Sequence, residues 1–208
     1  DKMLDLGELT YPSLVDFDAD GDQDLIVGNR GLVEANNFIA SLFLFENQGT
    51  QFEPNFILVN DDYLVLKSSE YRNIKPQFVD LDGDGDTDLS YQATTTNGRT
   101  SIFYRINSGG HDKPILLGNE QVMLNSQEEA DQPFFYDVDN NGKVDLLLGK
   151  RLGALHLLEN DGNLNFSEVT TTYADLTDDF DRRNLVPSVT DIDNDGRSEL
   201  ITTDYSGE

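Results

Sequence analysis

Short apolar runs separated by turn residues dominate the chain. In the first sixty residues the runs read SLVDF, DLIVG, SLFLFEN and FILVN, with Asp, Asn and Gly between them. Apolar runs of this length that are bounded by turn formers are typical of β-strands. We find no apolar periodicity over ten or more residues that would indicate a helix. The pattern therefore predicts an all-β chain.

The same set of runs recurs twice more. It reads QFVDL, DLSYQ, SIFYRI and either ILLG or QVML, and then FFYDV, DLLLG, ALHLLEN and FSEVT. Four antiparallel strands that repeat at this spacing are typical of the blades of a β-propeller. The predicted blades cover residues 11–70, 71–127 and 128–182, and residues 183–208 are the first half of a fourth blade. Residues 1–10 are predicted to supply an outer strand of a preceding blade.

Each predicted blade opens on an acidic motif: Pro, three mostly apolar residues and D-x-D-x-(D/N)-G-x-x-(D/E)-L. The first aspartates of the motif are residues 16, 80, 137 and 191, so the spacings are 64, 57 and 54 residues. A second landmark, an Asn with a Gly two residues later, ends the third run of each full blade, at Asn47, Asn107 and Asn160. We predict hairpin turns there, in which Asn and Gly supply positive φ. The segment NRGLVEANNFIAS is where the first blade gains residues.

The acidic motif has the oxygen pattern that Ca²⁺ prefers. Ca²⁺ takes six to eight oxygen ligands, and a tight loop can aim the side chains of positions 1, 3 and 5 at one point. Position 7 can add its main-chain carbonyl, position 9 a further carboxylate, and Gly at position 6 permits the sharp turn. The predicted ligands are Asp16, Asp18, Asp20, Asp22 and Asp24 in the first loop, Asp80, Asp82, Asp84, Asp86 and Asp88 in the second, Asp137, Asp139, Asn141, Lys143 and Asp145 in the third, and Asp191, Asp193, Asp195, Arg197 and Glu199 in the fourth.

Variation within the motif supports this assignment. Position 7 is Asp, Asp, Lys and Arg, which a carbonyl ligand tolerates and a side-chain ligand would not. Mg²⁺ demands octahedral geometry and keeps its waters, and zinc and copper favour His or Cys ligands. An EF-hand needs Glu at position 12 and flanking helices, whereas position 12 here is Val27, Tyr91, Leu148 or Thr202. The sequence therefore predicts about four Ca²⁺ ions, one for each loop.

Composition narrows the function classes. A net charge of −26 argues against nucleic acid and anionic membrane surfaces as partners. The absence of cysteine excludes disulfides and thiolate metal sites, and the apolar runs are far shorter than the roughly 20 residues that span a bilayer. The chain shows neither an initiator Met nor a signal peptide, so we expect it to be a piece of a longer protein.

These motifs resemble the FG-GAP or VCBS-type repeat, the blade unit of integrin-alpha-like β-propellers. The resemblance implies that the acidic loop joins the first two strands of each blade and binds Ca²⁺, and that the parent protein closes with seven blades; a four-bladed ring is the alternative. The run GALHLLENDG looks like the variant found in large secreted and surface proteins of bacteria, including those exported by the type IX system. Asn141 and Glu199 depart mildly from the family pattern.

Three functions stay open at this point. The first is a non-catalytic extracellular or cell-surface module for adhesion, which binds a protein or glycan within a larger secreted protein. The second is the propeller of a polysaccharide lyase or hydrolase, for which the best local candidates are Asp178, Asp179, Asp181, Arg182 and Arg183, although a solvated loop between blades explains them better. The third is a passive spacer in a surface or secretion assembly. We predict no catalytic residue, since no known nucleophile or phosphate-binding motif is present.

Overall fold

The structure is a computed structural model that describes residues 4–34, 37–110 and 112–205. The chain divides into two compact units, residues 1–80 with 85–129 and residues 81–84 with 130–208. The fold is all-β, as predicted, and is built from four-stranded antiparallel sheets of the kind that form propeller blades. No helix among the described residues is long and apolar enough to cross a membrane.

The first sheet has the order β1-β2-β5-β6. Its strands are β1 (Tyr11–Val15), β2 (Asp24–Gly28), β5 (Leu42–Asn47) and β6 (Phe56–Asn60). The extra residues of this part of the chain form a separate hairpin of β3 (Leu32–Glu34) and β4 (Asn37–Ile39). Of residues 1–10, those from Leu4 on are described, and they contribute an isolated bridge between Glu8 and Gly31.

The second sheet is a meander of β7 (Arg72–Val79), β8 (Asp88–Thr94), β9 (Thr100–Arg105) and β10 (Gln121–Gln127). A short 3-10 segment, Tyr63–Ser69, precedes it. Of the two candidates for its last strand, QVML is the one that pairs with β9, while Leu117 of ILLG forms an isolated bridge with Asn107. Apolar side chains of both sheets, such as Ile26, Leu42 and Leu89, form one buried cluster in the first unit.

The second unit contains β11 (Gln132–Tyr136), β12 (Asp145–Gly149), β13 (Leu155–Asn160) and β14 (Phe166–Thr170) in that order. A 3-10 turn at Tyr173–Asp175 leads on to the hairpin of β15 (Val186–Thr190) and β16 (Glu199–Thr203). Leu147, Leu155 and Leu185 are central to its core, with Val189 and Leu200 of the hairpin packed against them.

A glycine at the end of the second strand lets neighbouring backbones approach closely in each unit. A Cβ on Gly28 would lie 2.2 Å from the carbonyl oxygen of Ile74, and a Cβ on Gly149 would lie 2.0 Å from that of Leu185. Both distances are far below contact, so only glycine fits. The runs DLIVG and DLLLG therefore end on glycine because the strand that opens the next sheet or hairpin passes directly over them.

Candidate metal centres

The four acidic motifs form the loops that join the first two strands of each sheet and of the final hairpin. In every loop the carboxylates of positions 1, 3 and 9 converge, with one oxygen from each lying within 4.8 Å of the other two. The convergent sets are Asp16, Asp18 and Asp24; Asp80, Asp82 and Asp88; Asp137, Asp139 and Asp145; and Asp191, Asp193 and Glu199. Clusters of this kind could hold a metal ion.

The carboxylate at position 1 closes each loop. In the third loop, Asp137 accepts the backbone N–H of Asn141 at 3.0 Å and that of Gly142 at 2.8 Å. The equivalent bonds of Asp191 in the fourth loop are 3.1 and 2.8 Å, and those of Asp16 in the first are 3.2 and 3.1 Å. The position-6 glycines have φ between 81° and 96°, as the sharp turn predicted there requires.

Position 4 also adopts the left-handed conformation, which the sequence analysis missed. Its residues are Ala19, Gly83, Asn140 and Asn194, with φ of 64°, 79°, 59° and 59°. Gly and Asn are the residues that tolerate this conformation best. Their presence at three of the four copies was therefore a readable signal, and Ala19 is the residue that carries strain.

The carboxylate at position 9 ties the loop to the third strand of its sheet. Asp24, which is 3% exposed, accepts the backbone N–H of Phe17 at 2.9 Å and that of Asn47 at 2.7 Å. The equivalent bonds run from Asn107 to Asp88 at 2.7 Å, from Val138 and Asn160 to Asp145 at 3.1 Å each, and from Ile192 to Glu199 at 2.9 Å. The acidic motif and the landmark asparagine therefore recur together in each full blade, and a hydrogen bond joins them.

The landmark asparagines act through their side chains, so the prediction that they supply positive φ was wrong. None of the three asparagines is among the described residues with positive φ. In the third connection the glycine two residues later, Gly162, does have positive φ, at 91°. Asn47 Oδ1 instead accepts the backbone N–H groups of Gly49 at 3.1 Å and Asn55 at 2.8 Å. Asn107 does the same for Gly109 and Leu116, and Asn160 for Gly162 and Leu164. A buried amide oxygen thus organises each connection.

Positions 5 and 7 are bonded to each other. The side-chain oxygen of Asp20 accepts the N–H of Asp22 at 3.0 Å, and Asn141 and Asp195 bond Lys143 and Arg197 in the same way at 2.8 and 2.9 Å. The carboxylates of Asp20, Asp84 and Asp195 lie outside the convergent sets. Metal ligation by position 5 and by the carbonyls of position 7, Asp86 included, stays a prediction.

Like charges crowd the first loop. Asp18 is largely exposed, but partial desolvation raises the pKa of its carboxyl, and the neighbouring carboxylates of Asp20 and Asp24 raise it further. Burial likewise raises the pKa of Asp22, followed by the charge of Asp20, and one oxygen of Asp22 is buried without a hydrogen-bond partner among the described residues. An all-oxygen, negatively charged donor set of this kind fits a hard divalent cation.

Each unit has a cleft beside its acidic loops. In the first unit, a cleft of about 170 Å³ is lined by position 4 of the first loop and by positions 6–8 of the second, Gly85, Asp86 and Thr87. In the second unit, a larger cleft of about 330 Å³ is lined by the same positions of the third and fourth loops: Asn140, Gly196, Arg197 and Ser198. Tyr136 and Tyr173 add aromatic surface to this larger cleft.

The residues considered for catalysis lie on the exposed connection between β14 and β15. Arg182 pairs with Asp179 at 3.4 Å, and Asp178, Asp181 and Arg183 are exposed. Of the two histidines, His156 lies 3.0 Å from Glu168 on the third sheet, and His111 lies outside the described residues. The structure does not join these groups to the acidic clusters.

Comparison with known proteins bears on part of the chain. Residues 137–202 match the model of the FG-GAP-like repeat, which confirms the resemblance over the third and fourth acidic loops. No curated protein matches the chain. One similar solved structure is a lectin of Agrocybe aegerita that is described as specifically recognising non-reducing terminal N-acetylglucosamine, with a TM-score of 0.50 and 17% identity over 95% of this chain. The chain spans about half, 48%, of that lectin, and at this identity the likeness shows the fold alone.

Proposed function

We propose that the chain is a calcium-binding, non-catalytic β-propeller module of a secreted or cell-surface protein, and that it binds glycans. The observation that carries the proposal is the convergence of three carboxylates in each of four equivalent loops. Such convergence is unfavourable for an empty loop and favourable around a divalent cation. The FG-GAP-like match over residues 137–202 supports the same assignment.

The donor chemistry favours Ca²⁺ over other metals. Positions 1, 3 and 9 supply carboxylates, and we infer that position 5 and the carbonyl of position 7 complete the shell. These groups offer oxygen only, whereas zinc and copper are held mainly by nitrogen and sulfur. The ion would supply positive charge at the centre of the loop and so fix the first two strands of the sheet to each other. Four ions would change the net charge from −26 to −18.

Calcium in these loops would stabilise the fold and would take no part in catalysis. Calcium sites in extracellular modules have a Kd of about 10⁻⁴–10⁻³ M, so they fill outside cells and stay largely empty in the cytosol. At a free calcium concentration of ten times the Kd, each site adds about 1.4 kcal/mol to the free energy of unfolding, and the contributions of the four sites are summed. We therefore propose a location outside the cell, where calcium is abundant enough to fill sites of that affinity.

The clefts beside the loops are the proposed glycan sites. Sugar-binding sites combine an aromatic face with a few fixed polar groups. The larger cleft has this character, since Tyr136 and Tyr173 lie beside Asn140, Arg197 and Ser198. Because one wall of each cleft consists of acidic-loop residues, calcium would also hold the cleft in shape. The similarity to a lectin supports a glycan as the ligand.

A glycan array tests the proposal. The chain, labelled and loaded with 2 mM Ca²⁺, is expected to bind a subset of glycans, and a chelator is expected to abolish that binding. Tyr173→Ala should weaken binding at least tenfold because it removes the aromatic wall of the cleft. Tyr104→Ala, at a half-buried tyrosine on β9 in the first unit, is the matched control and should bind normally. Turnover of a polysaccharide, or calcium-loaded chain that binds no glycan, would contradict the proposal.

A further inference from the structure

Two connections of the second unit form a fixed rim at the strand ends opposite the acidic loops. β11 and β12 are antiparallel, so the connection after Gly149 lies at the other end of the sheet from the loop between Tyr136 and Asp145. This connection is joined to the segment that precedes β15: the N–H of Asn184 donates to the carbonyl of Arg151 at 3.0 Å. A second backbone bond, from Asp179 to the carbonyl of Leu152 at 2.6 Å, fixes the rim.

The rim encloses a cavity of about 250 Å³ that is lined by Arg151, Leu152, Phe180, Arg183 and Asn184. The Phe180 ring is 72% exposed, and the guanidinium of Arg183 lies 5.7 Å from its centroid. The Arg183 Nε–H donates to the Phe180 carbonyl at 3.0 Å, which holds the two side chains side by side. The lining thus offers two guanidiniums and an aromatic face, and it includes no carboxylate.

These arginines are unusual in so acidic a chain. The sequence has 40 acidic and only 14 basic residues. The basic side chains next to these arginines in sequence already form ion pairs: Lys150 with Asp131 at 2.6 Å and Arg182 with Asp179 at 3.4 Å. Arg151 and Arg183 form no ion pair with any residue in the described part of the chain. The remaining carboxylates of the connection between β14 and β15, those of Asp175, Asp178 and Asp181, do not line the cavity.

The first unit shows what an arginine at this junction binds. There the N–H of Asn73 donates to the carbonyl of Arg30 at 2.9 Å, in the same arrangement as Asn184 and Arg151. The two asparagines have matching left-handed φ of 59° and 55°. Arg30, the counterpart of Arg151, lies 3.4 Å from a carboxylate oxygen of Glu8 and 3.6 Å from one of Glu129. The junction therefore presents its arginine to carboxylates.

We propose that Arg151 and Arg183, together with Phe180, form a subsite for the carboxylate of an acidic sugar, namely a uronic acid residue of a polysaccharide. A guanidinium binds a carboxylate through two parallel hydrogen bonds, and the exposed Phe180 ring offers a platform for the apolar face of the sugar. An acidic peptide would supply the carboxylate but no ring face. This inference rests on the proposed glycan-binding function and adds a second site at the opposite strand ends.

Binding of galacturonic acid oligosaccharides tests the subsite, with their methyl esters as neutral counterparts of the same length. Calorimetry in calcium buffer is expected to show binding of the acid that weakens with salt, and a methyl ester that binds at least tenfold more weakly. Arg151→Gln/Arg183→Gln should weaken binding of the acid at least tenfold and leave the melting temperature unchanged, because both side chains are exposed. Arg99→Gln removes the charge of an exposed arginine on the turn between β8 and β9, away from either junction, and should bind as the parent does.

Equal binding of the acid and its ester, or unchanged binding by Arg151→Gln/Arg183→Gln, would overturn the subsite. Tighter binding of a glutamate-rich peptide than of the oligouronate would overturn the sugar assignment. These results differ from failure of the proposed function. If neutral glycans bind the array in a calcium-dependent way while uronates show no preference, only the subsite is wrong, whereas a chain that binds no glycan at all contradicts both.

Discussion

Asp24 and Asn47 are joined by a 2.7 Å hydrogen bond from the backbone N–H of the asparagine to the carboxylate of the aspartate. The bond connects the end of the acidic loop to the end of the third strand, 23 residues away. Asp88 with Asn107 and Asp145 with Asn160 repeat it at 2.7 and 3.1 Å. Position 9 of the loop therefore has a structural role that does not depend on metal.

Asp24→Asn separates this structural role from metal binding. The amide keeps one acceptor oxygen for two N–H donors, of which that of Asn47 is buried and that of Phe17 partly buried, so the variant should lose about 2 kcal/mol of unfolding free energy even in chelator. Urea unfolding in EDTA measures the loss. The matched control is Asp18→Asn in the same loop; this side chain is exposed and, among the described residues, accepts one backbone N–H, that of Asp20, at 3.2 Å. Asp18→Asn should lose calcium-dependent stabilisation without destabilising the metal-free chain. Equal losses for both variants in EDTA would contradict the assignment.

The raised pKa of Asp18 predicts opposite pH responses with and without calcium. Because the pKa of the folded carboxyl lies above its ordinary value of 3.8, the folded metal-free chain binds this proton more readily than the unfolded chain. Protonation of Asp18 therefore adds to the free energy of unfolding of the metal-free chain. This contribution is fully present below pH 3.8 and is lost as the pH rises through the pKa of the folded carboxyl. Calcium needs the carboxylate, so calcium-dependent stabilisation should fall as the pH drops through the same window.

Thermal melting between pH 7 and pH 4, in EDTA and in calcium, measures both effects. In EDTA, the stability of the parent relative to Asp18→Asn should rise as the pH falls, since the variant has no carboxyl to protonate. A difference between the two proteins that does not change with pH would show that neither desolvation nor the neighbouring carboxylates raise the Asp18 pKa.

Strain at position 4 predicts that Ala19→Gly stabilises the chain. Ala19 has φ of 64°, a conformation that costs a non-glycine residue about 1–2 kcal/mol, part of which the greater freedom of unfolded glycine offsets. We expect a net gain of about 0.5–1 kcal/mol in urea unfolding. Gly83→Ala at the equivalent position, where a new Cβ would meet no atom closer than 3.9 Å, is the reverse test and should cost about 1 kcal/mol. A loss of stability for Ala19→Gly would show that the position is not strained.

The carboxylate of Glu120 is predicted to stabilise the first unit by accepting hydrogen bonds from two buried tyrosines. One of its carboxylate oxygens accepts the Tyr71 hydroxyl at 2.8 Å, the other accepts the Tyr91 hydroxyl, and Arg105 lies 3.7 Å away. Burial and then Glu120 raise the pKa of Tyr71 to about 12. Glu120→Ala leaves two buried hydroxyls without their acceptor, so we expect a loss of about 3 kcal/mol in unfolding free energy.

Spectrophotometric titration of the same variant should also show the pKa of Tyr71 moving down, since a negative charge beside its hydroxyl has been removed. The control is Glu168→Ala, a half-exposed carboxylate that pairs with His156 on the third sheet and should change stability by less than about 0.5 kcal/mol. If Glu120→Ala costs no more than Glu168→Ala, the network does not contribute to stability.

The sequence predicted most of the strands and the convergence of the acidic loops because both depend on local spacing. Apolar runs between turn residues define strands such as β12 and β13, and alternate loop positions bring Asp16 and Asp18 together whatever the rest of the fold does. The tightness of the turn also fixed the conformation of Gly142. These features need only neighbouring residues.

What was missed depends on contacts between residues far apart in the chain. Asn47 looked like a turn residue because Asn often adopts positive φ, but its role is set by the carboxylate of Asp24 and by an N–H eight residues later. Glu120 contacts Tyr71, which lies 49 residues earlier in the sequence. Arg30 pairs with Glu129, and all four strands of the second sheet lie between them in the sequence. No spacing rule predicts such pairs, because strand register and loop path decide them.

Calcium titration of the chelator-stripped chain by calorimetry, with melting followed in parallel, measures directly whether the four loops bind calcium. We expect about four sites at submillimolar to millimolar Kd and a clear rise in melting temperature. Asp18→Asn, Asp82→Asn, Asp139→Asn and Asp193→Asn should each remove one site, since each changes one loop. No heat and no stabilisation at millimolar calcium would contradict the claim and would leave the four motifs as acidic turns only.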